Sequence, residues 1–99
     1  MSFVTTQPEL LAAATGELDG VGSAMAADNA SAAGPTTGVV PAAADEVSAL
    51  MAAQFAAHAI MYQQISAQAD AVHEMFVEML GASAASYAAT EAANAVATS

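Results

Sequence analysis

One register dominates this sequence. Met51, Phe55, His58, Tyr62, Ile65, Ala69, Val72, Phe76 and Met79 recur at alternating steps of four and three. That spacing marks a helix that keeps one apolar stripe turned toward a neighbour, whereas a strand would alternate at every second residue. On a helical wheel at about 100° per residue, Val47, Leu50, Met61 and Met75 fall to one side of the stripe and Leu80 on it. Asp45, Asp70, Glu74 and Glu78 gather opposite, with Ile60 as the large apolar exception. An apolar arc approaching half the circumference is wider than one antiparallel neighbour covers, so a helix from another polypeptide is expected to cover the rest.

A first helix is expected upstream. In "TTQPEL", Thr6 followed by Glu9 reads as a capping box, and Pro8 suits the first turn, where its missing N–H costs nothing. Leu11, Ala14, Leu18, Val21, Met25, Asp28 and Ala32 then form a heptad seam broken at Asp28. Gly16, Gly20 and Gly22 each weaken such a helix by about 1 kcal/mol relative to Ala, so something outside it must hold it. Gly16 and Gly20 also spell a small-xxx-small pattern, which with Glu17 and Asp19 between them indicates close packing in water rather than in a membrane. The stretch "AAGPTTGVVPAAADE" clusters Gly34, Pro35, Gly38 and Pro41 between the two patterns and reads as the reversal of the chain.

The expected organisation is one all-α domain: helix 1 over about 8–32, a turn over about 33–44, helix 2 over about 45–80, and a tail over about 81–99. The fold expected is an antiparallel two-helix hairpin that completes a four-helix bundle with a partner. Composition agrees, because 57% of the chain is hydrophobic but 30 of its 99 residues are Ala, the strongest helix former and the poorest core filler. Whether the tail continues the helix is open at this level, since Gly81 is a candidate cap.

Charge narrows the function. Ten carboxylates and no Lys or Arg give a net −10, which excludes nucleic acid and charge-driven attachment to anionic lipid, both of which draw on basic side chains. It favours a partner able to supply cations. "MSFVTTQPEL" has neither a basic n-region nor an apolar h-region, and Gln54, His58, Gln63 and Gln64 interrupt the best apolar stretch. Neither a conventional signal peptide nor a membrane helix is therefore expected, and an exported chain would need another route. With no Cys, no disulfide framework holds it.

Chemistry is sparse. "HEMFV" opens like a zinc-protease helix but has Val77 where the second His ligand must stand. His58 and His73 are expected to be hydrogen-bonded interface residues, with a pH-sensitive contact as the alternative. Met51, Met61, Met75 and Met79 suit adaptable packing. Asp45 and Glu46 suit a helix N-terminus better than an acid/base couple. No nucleophile elbow or phosphate loop occurs, so no enzyme and no cofactor are expected. In the tail, Tyr87 and Glu91 would share one helical face a turn apart, as a receptor surface or simply as a Tyr beside a solvated acid.

Pro8-Glu9 near the start, the long segment "PTTGVVPAAADEVSALMAAQFAAHA" and the ending "SYAATEAANA" make the chain resemble the mycobacterial PE family over essentially its whole length. The middle segment carries most of that specificity. The resemblance implies a hairpin that pairs with a larger PPE-family protein and is exported with it by type VII secretion, after a cytosolic chaperone has held the PPE partner. It also implies an export signal of the form Tyr-x-x-x-Asp/Glu, here Tyr87 and Glu91. The expected location is cytoplasmic before export, then secreted or on the outer envelope. Two other roles stay open: action of the exported pair in small-solute uptake at that envelope, and self-association into a homomeric bundle. The chain departs from many family members in having no basic residues and no long Gly-rich extension.

Overall fold

A computed structural model describes residues 4–99. The described chain is all-helical, with two long helices, α1 (Pro8–Thr37) and α2 (Glu46–Thr98), that make a helical hairpin. It divides into two compact units, one formed by Ser23–Val72 and the other by the residues up to Gly22 together with His73–Ser99.

The ends of the helices follow from local chemistry. Pro8 is the first residue of α1, and the Gln7 carbonyl accepts from the Leu10 and Leu11 N–H groups at 3.1 and 3.3 Å. The capping box expected of Thr6 is replaced: Gln7 is the cap, and Thr6 donates to a different residue, described below.

α1 runs five residues past the expected stop at 32, through Gly34 and Pro35. Pro35 withholds one N–H, yet the Thr36 and Thr37 hydroxyls donate to the Ala32 and Ala33 carbonyls, both at 2.6 Å, and Gly38 N–H donates to Gly34 O at 3.0 Å. A proline this near the end removes a single helical bond, which the last turn tolerates.

α2 begins at Glu46 with Asp45 as its cap. The Ser48 N–H and hydroxyl donate to the Asp45 carboxylate at 3.2 and 2.6 Å, and these bonds hold the Asp45 carboxyl below its ordinary value.

The largest departure is at the other end, where α2 does not stop near residue 80 but continues through Gly81 to Thr98. Gly81 is helical, and no described glycine has a positive φ. A Cβ placed on it would lie 3.6 Å from Thr15 Cγ2, an ordinary contact distance, so Gly81 faces α1 within the helix rather than capping it. Beyond it, "ASAASYAATEAANAVAT" is rich enough in Ala to outweigh one glycine.

The surface by which the helices meet is not the expected one. In the Ser23–Val72 unit the α2 residues turned inward are Ala52, Ala56, Ala59, Gln63, Ser66 and Asp70. In the other unit they are His73, Val77, Leu80, Gly81, Ala84 and Glu91. These positions repeat the four-three heptad displaced by one residue, or about 100°, from the large apolar stripe. Ala52 and Ala84 are the buried hydrophobic residues of the described chain, at 7% and 5% exposure. The expectation that the two greasy seams bury against each other is thereby corrected. Ala52, Ala56, Ala59, Ser66, Gly81 and Ala84 are small enough to let the helices approach closely, and polar or branched side chains such as Gln63, His73, Val77 and Leu80 fill the positions between them.

Val47, Leu50, Met51, Phe55, His58, Met61, Tyr62, Ile65, Val72, Phe76 and Met79 all stay exposed, as do Val21 and Met25 on α1; Leu11 and Leu18 are half-buried.

Candidate partner face and export-signal site

Two features stand out, one within each unit and one confined to the second. In the Ser23–Val72 unit, Tyr62 and Gln63 reach α1. The Tyr62 hydroxyl donates to Asn29 Oδ1 at 2.7 Å and the Gln63 amide donates to the Asn29 carbonyl at 3.1 Å, which fixes the rotation of α2 and leaves Phe55 and Ile65 outward at 59% and 62% exposure. Near them the Gln54 amide donates to His58 Nε2 at 2.9 Å, an exposed pair.

In the other unit His73 performs the same locking. Its Nε2–H donates to the Leu18 carbonyl at 2.7 Å, and a Cβ on Gly22 would meet the ring at 2.7 Å, so the missing side chain at Gly22 is what lets the imidazole lie against α1. Phe76 and Met79, three and six residues on, point away. Gly16 and Gly20 have nothing within 4 Å of the space a Cβ would fill, so the small-xxx-small face of α1 is open in the chain alone.

The second feature is at the start of α1. Glu91 Oε1 accepts both the Thr6 N–H at 2.9 Å and the Thr6 hydroxyl at 2.8 Å, a clasp across 85 residues of sequence. The two bonds, the backbone one first, lower the Glu91 carboxyl from its ordinary value of 4.5. The sign follows from that lowering. The clasp contributes its full stability above about 4.5, the unfolded value, and loses it as pH falls through the lower folded value.

Pro8, Glu9, Ala12, Ala84, Ala88 and Glu91 line one groove beside the clasp. Thr6, Gln7, Leu10, Leu11, Ala14 and Tyr87 line another, of about 400 Å³, which Pro8 also borders. Tyr87 and Glu91 are thus brought to one place, as their four-residue spacing on a helix requires. Pro8 and Glu9, 78 and more residues away in sequence, border the same site.

Sequence reasoning missed Thr6 as the clasp donor, and no local pattern pointed to it. It also missed Asn29 and the Gly22–His73 contact. The inward stripe of α2 has the same heptad spacing in the sequence, but its mixture of Ala, Gln, Ser, Asp, His, Val and Leu is masked by the uniformly large side chains one step away.

The PE family model matches residues 4–94. The chain belongs to the PE family. Among its relatives, the PE family protein PE13 of Mycobacterium tuberculosis is 64% identical over 99 residues, covering the whole of both chains. PE8 of the same organism is 57% identical over 94 residues, 95% of this chain but 34% of that protein. PE_PGRS33, a PE-PGRS family protein of the same organism, is 60% identical over 95 residues, 96% of this chain and 20% of that protein. This PE-family chain therefore spans all of one of these relatives, about a third of the second and a fifth of the third. Among its described residues no helix is long and apolar enough to cross a membrane, and no three His, Cys, Asp or Glu side chains gather as a metal site.

Proposed function

We propose that this PE-family chain is a non-enzymatic partner subunit that forms a one-to-one heterodimer with a PPE-family protein. The pair is exported by a type VII secretion system, with Tyr87 and Glu91 as the export signal. A cytosolic chaperone acts through the PPE partner, and the exported pair is secreted or held at the outer envelope.

The carrying observation is the uncovered stripe of large side chains on α2, Phe55, Ile65 and Phe76 among them, each more than half exposed, while the positions turned toward α1 lie one residue further along. Apolar residues at helical spacing on an open face support a helix-on-helix partner. A second copy of the same chain is disfavoured, because it would bring together two chains of net −10 with no cation between them.

The test uses the chain in its native host with both Tyr87 and Glu91 changed to Ala. The variant is expected to stay inside the cell while still purifying as a one-to-one complex with its PPE-family protein. Normal export of that variant would remove the signal assignment, and failure to find a PPE chain with the wild type would remove the subunit assignment.

A further inference from the structure

The usual way to picture a Tyr-x-x-x-Glu signal is as an aromatic ring and a free carboxylate offered to a receptor. The geometry here is different: one Glu91 oxygen already holds two donors from Thr6. Hydrogen bonds to an ionised acceptor are the stronger kind, and a receptor that wanted this oxygen would first have to break both. Glu91 is half-buried while Tyr87, one turn earlier, is 49% exposed.

Thr6 immediately precedes the cap of α1, so the clasp anchors the first turn of that helix against α2. On that turn Leu10 is 61% exposed and borders the same groove as Tyr87.

We infer that Glu91 acts as a staple rather than as a contact, and that Thr6 is a positioning residue of the export signal: the secretion machinery reads Tyr87 together with the first turn of α1, held in register by the Thr6–Glu91 clasp. The inference rests on the export assignment above and adds to it a second segment, 85 residues from Glu91, that the machinery must find in place. It also gives Pro8 a role beyond starting a helix, since its ring restricts the backbone of Gln7 and its fixed φ starts the first turn, which together set how the chain passes from Thr6 into α1.

The experiment measures export of the tagged full chain from its native host, comparing culture filtrate and cell surface with lysate. Thr6→Val removes the hydroxyl donor and keeps the shape, Thr6→Ser keeps the hydroxyl, and Glu91→Gln keeps an acceptor oxygen without the charge. Circular dichroism and recovery of the PPE complex confirm that each variant is folded and paired.

The expected result is a several-fold fall in export for Thr6→Val, near wild-type export for Thr6→Ser, and a smaller loss for Glu91→Gln than for Glu91→Ala. Normal export of Thr6→Val, with Glu91→Gln as defective as Glu91→Ala, would show that the carboxylate is read directly and would overturn the inference alone. Normal export of Tyr87→Ala would remove the export assignment and this inference with it.

Discussion

Changing Phe55 and Phe76 together to Asp is expected to abolish pairing with a PPE-family protein while leaving the hairpin as helical and as stable as before. Both rings are exposed in the chain alone, Phe55 at 59% and Phe76 at 52%. Substitutions at exposed positions away from caps and strained backbone usually change stability by less than about 0.5 kcal/mol. In a bundle with a partner the same rings would be central anchors, each worth about 2 kcal/mol or more, and a buried unpaired carboxylate costs further. Two such losses weaken pairing by roughly a thousandfold or more. Co-purification reads the pairing, and circular dichroism reads the hairpin. A double variant that still pairs would show that this stripe faces something else.

The opposite behaviour is expected of Ala84→Leu. Ala84 is 5% exposed, on the face of α2 turned toward α1. Three added carbons must either push α1 away or swing into the groove that Ala84 also borders, and overpacking of this kind costs about 1–3 kcal/mol. For a chain whose hairpin contact depends on small side chains for close approach, that is a large fraction of the stability. Thermal loss of the helical circular-dichroism signal should move to lower temperature than in the wild type. Ala82→Leu, two residues away and exposed, is the control and should leave that temperature unchanged. An Ala84→Leu variant as stable as the wild type would mean that the helices do not meet through Ala84.

These two predictions reverse the ordinary ranking of Phe above Ala, and that reversal shows where sequence reading reached and where it stopped. The period of Met51 to Met79 identified a helix and its exposed-side stripe, because periodicity depends only on backbone geometry. It could not say which of two stripes, one residue apart, would meet α1. The choice depends on close approach at Gly22 and on the Asn29, His73 and Glu91 hydrogen bonds, all of which are tertiary.

Helix ends failed for a similar reason. Gly81 and Pro35 are breakers in isolation, but the Ala-rich segment after one and the Thr hydroxyls around the other carry the helix through. Beside the clasp, Tyr87 and Glu91 were legible together because they share a helix face. Thr6 was invisible as their neighbour because only the folded hairpin returns it to them.

The central claim is that this chain leaves on its surface the apolar stripe that another polypeptide must cover. Scanning calorimetry of the chain alone and in complex with its PPE-family protein tests it most directly. A self-sufficient domain of this length would absorb about 70 kcal/mol in one sharp transition near 60 °C. The account predicts a broad, low-temperature transition of much smaller enthalpy for the chain alone, and one sharp transition at markedly higher temperature for the complex. A lone monomer that already melts sharply at high temperature, with no further gain when the partner is present, would contradict it.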